Sequence, residues 1–210
     1  VSRKLRLGVL VSGGGRTMLN IADCIDRGDL PASVAVVIAS RAEAPAVHRA
    51  RDRGFDVRVA PRKNFANDSE MHDAITSLLL EHLVDLVCLG GYMRWYRVDP
   101  SFEHRVMNIH PALLPDFGGK GMYGPRVHRA VLDSDATVSG CTVHFVDDQY
   151  DHGPIILQRT CPVLPGDDED HLAGRVFEQE CLAYPEAIRL YAADRLSVAD
   201  GVVNILSKST

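Results

Sequence analysis

Residues 5–28 read LRLGVLVSGGGRTMLNIADCIDRG. The apolar run from Leu5 to Val11 reads as a buried strand, and it ends in Ser12-Gly13-Gly14-Gly15. From Thr17 to Arg27 the apolar residues Met18, Ile21, Ala22 and Ile25 fall at helical spacing. A strand, a glycine loop and a helix in this order open a parallel α/β sheet.

Outward from this unit the rhythm repeats. Ser33 to Ala39 is a continuous β-branched run, as in a strand covered on both faces. Ala46 to Arg53 is a helix stopped by Gly54, and Val57 to Ala60 is a short strand. Asp68 to Glu81 is a helix with Ile75, Leu78 and Leu79 inward. Leu86 to Leu89 is a strand broken by Gly90-Gly91. Val106 to Ile109 is a strand leading into the Gly- and Pro-rich loop HPALLPDFGGKGMYGP. A short helix is expected over His128 to Leu132. Gly140 to Val146 and Pro154 to Pro162 are expected to pair as an antiparallel hairpin at the sheet edge. Asp170 to Ala193 is a final long helix, kinked near Pro185. The expected fold is α/β: a mostly parallel twisted sheet, Rossmann-like, with helices on both faces and antiparallel strands near the C-terminal edge.

The 210 residues suit one domain, 1–210, with a continuous core. No basic cluster stands out and the net charge is −5, which argues against a broad nucleic-acid surface. The apolar run at the N-terminus is too short to span a membrane and flows into the glycine loop rather than a cleavage site. Val1-Ser2 reads as leftover sequence, since no initiator Met is present. Five cysteines without a CxxC pair are expected to be reduced thiols of a cytoplasmic protein.

Two features carry chemistry. The loop Ser12 to Thr17 places backbone N–H groups at a helix start, where an anion is favoured. It lacks the spacing of a P-loop or of GxGxxG, so a phosphate site and a plain tight turn both remain open. Asn108-Ile109-His110 aims two polar side chains to one side of a strand end, where α/β sheets keep their ligand crevice. A turn-capping role for the pair is equally open. Downstream, DDQYDHGP holds three acids, Asp147, Asp148 and Asp151. An acid beside His110 would favour the imidazolium and let it donate a proton near neutral pH. His104, His110 and His128 lack paired ligand spacing, so no metal is expected.

The run NIHPALLPDF, with VSGGG upstream and TVHFVDDQYDHGPIILQ downstream, resembles the folate-dependent phosphoribosylglycinamide formyltransferases. The likeness extends to GGYMRWY (Gly90 to Tyr96) and GRVFEQECLAYPEAI (Gly174 to Ile188). It implies transfer of the formyl group of 10-formyltetrahydrofolate, a co-substrate, to the amine of glycinamide ribonucleotide in purine synthesis. It implies Asn108, His110 and Asp151 as catalytic residues, with His144 assisting. It implies Gly14, Gly15, Arg16, Thr17 and Glu180 at the nucleotide's phosphate and ribose. It implies Met93, Arg94, Trp95 and Tyr96, with Asn108, Val146 and Asp151, at the folate. Arg16-Thr17 departs from the usual Ser-Asn, and Phe177 stands where Lys or Gln is common. Lys120 reads as a solvated loop residue. The partners implied are small molecules only, with no nucleic acid and no membrane, for a monomer or homodimer. The segment 118–124 is expected to move without ligand.

Overall fold

A computed structural model describes residues 4–207; Val1-Ser2 lies outside them. The chain divides after Met107 into two compact units.

The first unit is the α/β part. Its strands are β1 (Leu5–Val11), β2 (Ala32–Ala39), β3 (Val57–Val59) and β4 (Leu86–Leu89). Its helices are α1 (Arg16–Asp26), α2 (Pro45–Asp52) and α3 (Asp68–Glu81). β1 pairs in parallel with β2 and with β4, and β2 pairs in parallel with β3. Val9, Leu10, Val36, Val37, Ile38, Val87 and Cys88 are fully buried, as unbroken apolar strands require. The Asn67 side chain caps α3 by accepting from Glu70 N, and the Glu70 carboxylate accepts from Ala66 N.

β5 (Val106–His110) leads into the second unit, with α4 (Pro125–Leu132), β6 (Val138–Phe145), β7 (Ile155–Pro162) and α5 (Glu169–Ala192). β6 and β7 form the expected antiparallel hairpin. The seven strands follow the order β3-β2-β1-β4-β5-β6-β7, so β7 lies at the edge. α4 begins at Pro125, three residues before the start expected from apolar spacing, because Pro fits the first helical turn. Pro185 lies inside α5. A second, two-stranded antiparallel sheet, β8 (Leu196–Ala199) and β9 (Val202–Ile205), was not expected from the sequence. Its turn is Asp200-Gly201, both at positive φ (51° and 74°), the pairing that a two-residue hairpin favours.

Candidate functional site

The second unit gathers four polar side chains from three places in the chain. Asn108 and His110 stand on β5, His144 on β6, and Asp151 in the turn before β7. Asn108 Nδ2 lies 3.1 Å from His144 Nε2 and 3.4 Å from Asp151 Oδ1. His110 Nδ1 lies 3.4 Å from Asp151 Oδ2, and His110 Nε2 lies 2.9 Å from the carbonyl oxygen of Phe117. Gly119 N donates to Asp151 Oδ2 at 3.0 Å. The side chains of His110, His144 and Asp151 are 3%, 2% and 12% exposed, so charges here are poorly screened.

Protonation follows from the partners. His144 Nδ1 lies 2.8 Å from the Phe145 carbonyl oxygen, which only accepts, so Nδ1 carries the hydrogen and Nε2 offers a lone pair to Asn108. Burial pushes the His144 imidazole below its usual value, which agrees with a neutral ring. His110 faces acceptors on both nitrogens, a carboxylate and a carbonyl. Nε2 donates to the Phe117 carbonyl, and Nδ1 stands 3.4 Å from the carboxylate.

Local backbone sets this arrangement. Asp151 has φ +52°, in the left-handed region where Asp and Asn are enriched among non-glycine residues. A Cβ on Gly118 would lie 2.5 Å from Leu114 Cδ2 and 3.3 Å from Asp151 Cβ, so the loop packs closely beside Asp151 here. The loop entry is tied to the hairpin. Thr142, fully buried, donates to Ala112 O at 2.7 Å and accepts from Leu114 N at 3.0 Å. Gln158 Nε2 donates to Leu114 O and to Thr142 Oγ1, each at 2.9 Å.

The other two acids of the turn behave differently. Asp147, half-buried, lies 2.7 Å from His152 Nδ1 and accepts from Gln149 N at 2.9 Å within the turn. Asp148 is exposed. Glu180 is half-buried on α5, Val146 is half-buried after β6, and Lys120 is exposed. His128, weighed in the sequence only for metal spacing, lies on α4 beside His110. It is 6% exposed on α4, its Nδ1 has no hydrogen-bond partner, and burial lowers its pKa with a further contribution from His110. A histidine beside an apolar helix face gives no sequence signal of this neighbour.

In the first unit the glycine loop is held by its carbonyls. Arg41 Nε donates to Ser12 O at 2.9 Å, Ala46 N to Gly13 O at 3.1 Å, and Arg49 Nη1 to Gly14 O at 2.6 Å. A trans peptide points its N–H opposite its C=O, so the amides of Gly14 and Gly15 face the other way. Gly15 has φ +73° and a Cβ there would meet Ala46 Cβ at 2.8 Å. Gly14 and Arg16 are exposed and Thr17 is half-buried at the start of α1. Arg41, in the loop after β2, and Arg49, on α2, give no sequence signal, because isolated basic residues read as solvated.

The segment Met93 to Tyr96 lies in the same unit, outside any strand or helix. Met93 N donates to Ser12 Oγ at 3.0 Å, and Ser40 Oγ donates to the same oxygen at 2.8 Å. Met93 and Arg94 are exposed, Trp95 is half-buried and Tyr96 is buried. Burial pushes the Tyr92 and Tyr96 phenols up to about 12.

Three buried imidazoles, His72, His128 and His144, are all pushed down by desolvation. Their folded-state values lie below the unfolded value of about 6.5. The unfolded chain therefore takes up more protons as pH falls. Stability is full above that pH and is lost as pH drops through it toward the folded values. His82, raised by its bond to Asp56, acts in the opposite sense, one group against three. The urea midpoint at pH 5.5 is expected to lie below that at pH 7.5. Equal midpoints would contradict this.

Comparison with known proteins bears on this geometry. A family model described as formyl transferase matches residues 5–188. A chloroplastic phosphoribosylglycinamide formyltransferase of Vigna unguiculata is 38% identical, over 98% of this chain and 67% of its own. A phosphoribosylglycinamide formyltransferase of Haemophilus influenzae is 37% identical, over 97% of this chain and 95% of its own. The crystal structure of glycinamide ribonucleotide transformylase 1 from Symbiobacterium toebii superposes with a TM-score of 0.92 at 41% identity, covering 99% of this chain and 96% of that one.

Proposed function

Because the chain belongs to the formyl transferase family, we propose that it acts as a phosphoribosylglycinamide formyltransferase, passing the formyl group of 10-formyltetrahydrofolate to the amine of glycinamide ribonucleotide. The products are formylglycinamide ribonucleotide and tetrahydrofolate, and the reaction belongs to purine biosynthesis. The observation that carries the reading is the cluster in which Asn108 is hydrogen-bonded to His144 and Asp151 while His110 lies 3.4 Å from the Asp151 carboxylate.

The substrate amine attacks the formyl carbon and a tetrahedral intermediate forms, with negative charge on the former carbonyl oxygen. Asn108 offers that oxygen an N–H. Its shorter bond to His144 fixes the carboxamide, and its 3.4 Å contact to Asp151 is at the outer limit and gives way to a stronger acceptor. His110 gives its proton to the folate nitrogen as the carbon–nitrogen bond breaks, and the proton lost by the attacking amine restores it. Asp151 orients His110 and holds the charged ring. His110 Nε2 is engaged by Phe117 O, so the loop beyond Phe117 moves for the proton to be delivered.

The amides of Gly14, Gly15, Arg16 and Thr17 take the nucleotide phosphate, and Glu180 takes the ribose. Met93 to Tyr96 and Val146 take the pterin of the folate. The family match runs across both compact units, which supports reading 1–210 as one catalytic domain. The five free thiols support a reducing compartment, the cytoplasm. We read the active form as a monomer or homodimer.

The test is direct. The protein is mixed with 10-formyltetrahydrofolate and glycinamide ribonucleotide, and tetrahydrofolate release is followed. Nucleotide-dependent release is expected. Release without nucleotide would assign a hydrolase instead, and saturable nucleotide binding without turnover would assign a binding module.

A further inference from the structure

We infer that His72 on α3 is a positioning residue for the folate site: it holds the carbonyl of Trp95 and so fixes the backbone strip that the pterin lies against. The inference rests on the proposed folate role of Met93 to Tyr96.

That strip has no regular secondary structure from Tyr92 to Asp99, so no ladder of backbone bonds sets its path. Side chains set it instead. On α3 the polar residues Ser69, His72, Asp73 and Thr76 recur at i, i+3, i+4 and i+7, which makes one stripe. His72 and Thr76 in this stripe are buried, Ser69 and Asp73 are exposed, and the stripe meets residues 95–97. His72, 1% exposed, places Nε2 3.2 Å from Trp95 O. Arg97 donates to Ser69 Oγ at 2.8 Å and pairs with Asp73. The imidazole also meets the Trp95 ring edge-on at 5.2 Å and the Tyr96 ring at 6.1 Å. Three residues of one helix face thus grip the strip, and the grip at Trp95 is a hydrogen bond to its backbone.

The chemistry of the contact is determined. A carbonyl only accepts, so Nε2 bears the hydrogen and Nδ1 is bare. Burial lowers the His72 pKa and outweighs the bond to Trp95 O, which raises it; Arg97 adds to the fall and Asp68 and Asp73 oppose it, so the ring is neutral at pH 7. Nδ1 has no hydrogen-bond partner, nor has the Tyr92 hydroxyl. The Tyr96 hydroxyl sits by that of Thr76 without reaching hydrogen-bond geometry. Such unpaired buried groups are costly as core filling, and a hydrophobic residue at 72 would avoid one of them. A role in fixing the Trp95 carbonyl accounts for the histidine.

The test separates a donor at Nε2 from bulk. Glutamine places an amide N–H near the Nε2 position, asparagine places it near Nδ1, out of reach of Trp95 O, and leucine has none. His72→Leu and His72→Asn are expected to raise KM for 10-formyltetrahydrofolate roughly three- to tenfold, the loss of one hydrogen bond. Their kcat and KM for the nucleotide should stay within about twofold, and His72→Gln should restore the folate KM. Trp95 is the single tryptophan, so its emission reads the strip directly during titration with tetrahydrofolate. Equal folate KM in all four proteins, equal impairment in all three variants, or a loss confined to kcat would overturn the role of His72. If tetrahydrofolate leaves the wild-type emission unchanged and Trp95→Ala leaves the folate KM unchanged, the folate reading of the strip itself fails. Should His72→Leu not fold, the contrast between His72→Gln and His72→Asn decides alone.

Discussion

Replacing His110 with alanine lowers kcat by about 10²–10⁴, the range for loss of a general acid. The ring is almost fully buried between a carboxylate and a carbonyl, and no other side chain in the cluster is set to deliver a proton. His144 does not substitute. Its one hydrogen is committed to the Phe145 carbonyl, and burial keeps the ring neutral. KM for the nucleotide should change little, because His110 acts on the reacting centre rather than on the phosphate. Single-turnover measurement of formyl transfer isolates the effect from product release. Turnover near that of the unmodified enzyme would remove His110 from the mechanism. A secondary structural collapse is checked by circular dichroism, since the variant also leaves Phe117 O and Asp151 short of a donor.

Asn108→Ala is the second large effect, a fall of about 10²–10³ in kcat, the value of one oxyanion donor. Asn108→Asp should fall at least as far despite its equal size. It exchanges the donor for an acceptor and sets a second carboxyl group beside Asp151, where like charges repel. A steric role predicts the reverse order, with the isosteric change tolerated and alanine not. Steady-state kinetics of the pair therefore separates charge from shape. An Asn108→Asp enzyme with more than a tenth of normal turnover would defeat the oxyanion assignment.

The parallel half of the fold was legible because its signals are local. Leu5 to Val11 is apolar but for Arg6, Val34 to Ala39 is apolar throughout, and the glycine loop Ser12 to Gly15 closes the first. The hairpin of β6 and β7 was legible for a similar reason, two β-rich runs around a polar turn. Asn108 and His110 stood out by their period of two at a strand end. Asp151 did not stand out from Asp147 and Asp148 by any local rule, and resemblance alone selected it. What distinguishes it is a contact with a residue 41 positions earlier and a left-handed backbone, and neither is written in its neighbours. His72 was hidden by the opposite effect. A buried His72 beside the exposed Ser69 and Asp73 reads as the flank of an amphipathic helix until the strip they bind is known. The β8–β9 hairpin also carries a local signal, Asp200-Gly201 between short apolar runs, although each strand is only four residues long.

The positive φ of Asp151 restricts which replacements the enzyme tolerates during evolution. Most side chains resist that conformation by about 1–2 kcal/mol, while asparagine and aspartate accept it. Glutamate, which preserves the charge, is one methylene longer and ill suited to the bend. Asparagine, which abolishes the charge, fits it. A lineage drifting at this codon thus keeps its architecture most easily through the change that silences its proton chemistry. Inactive descendants with an intact scaffold are the outcome such a turn favours.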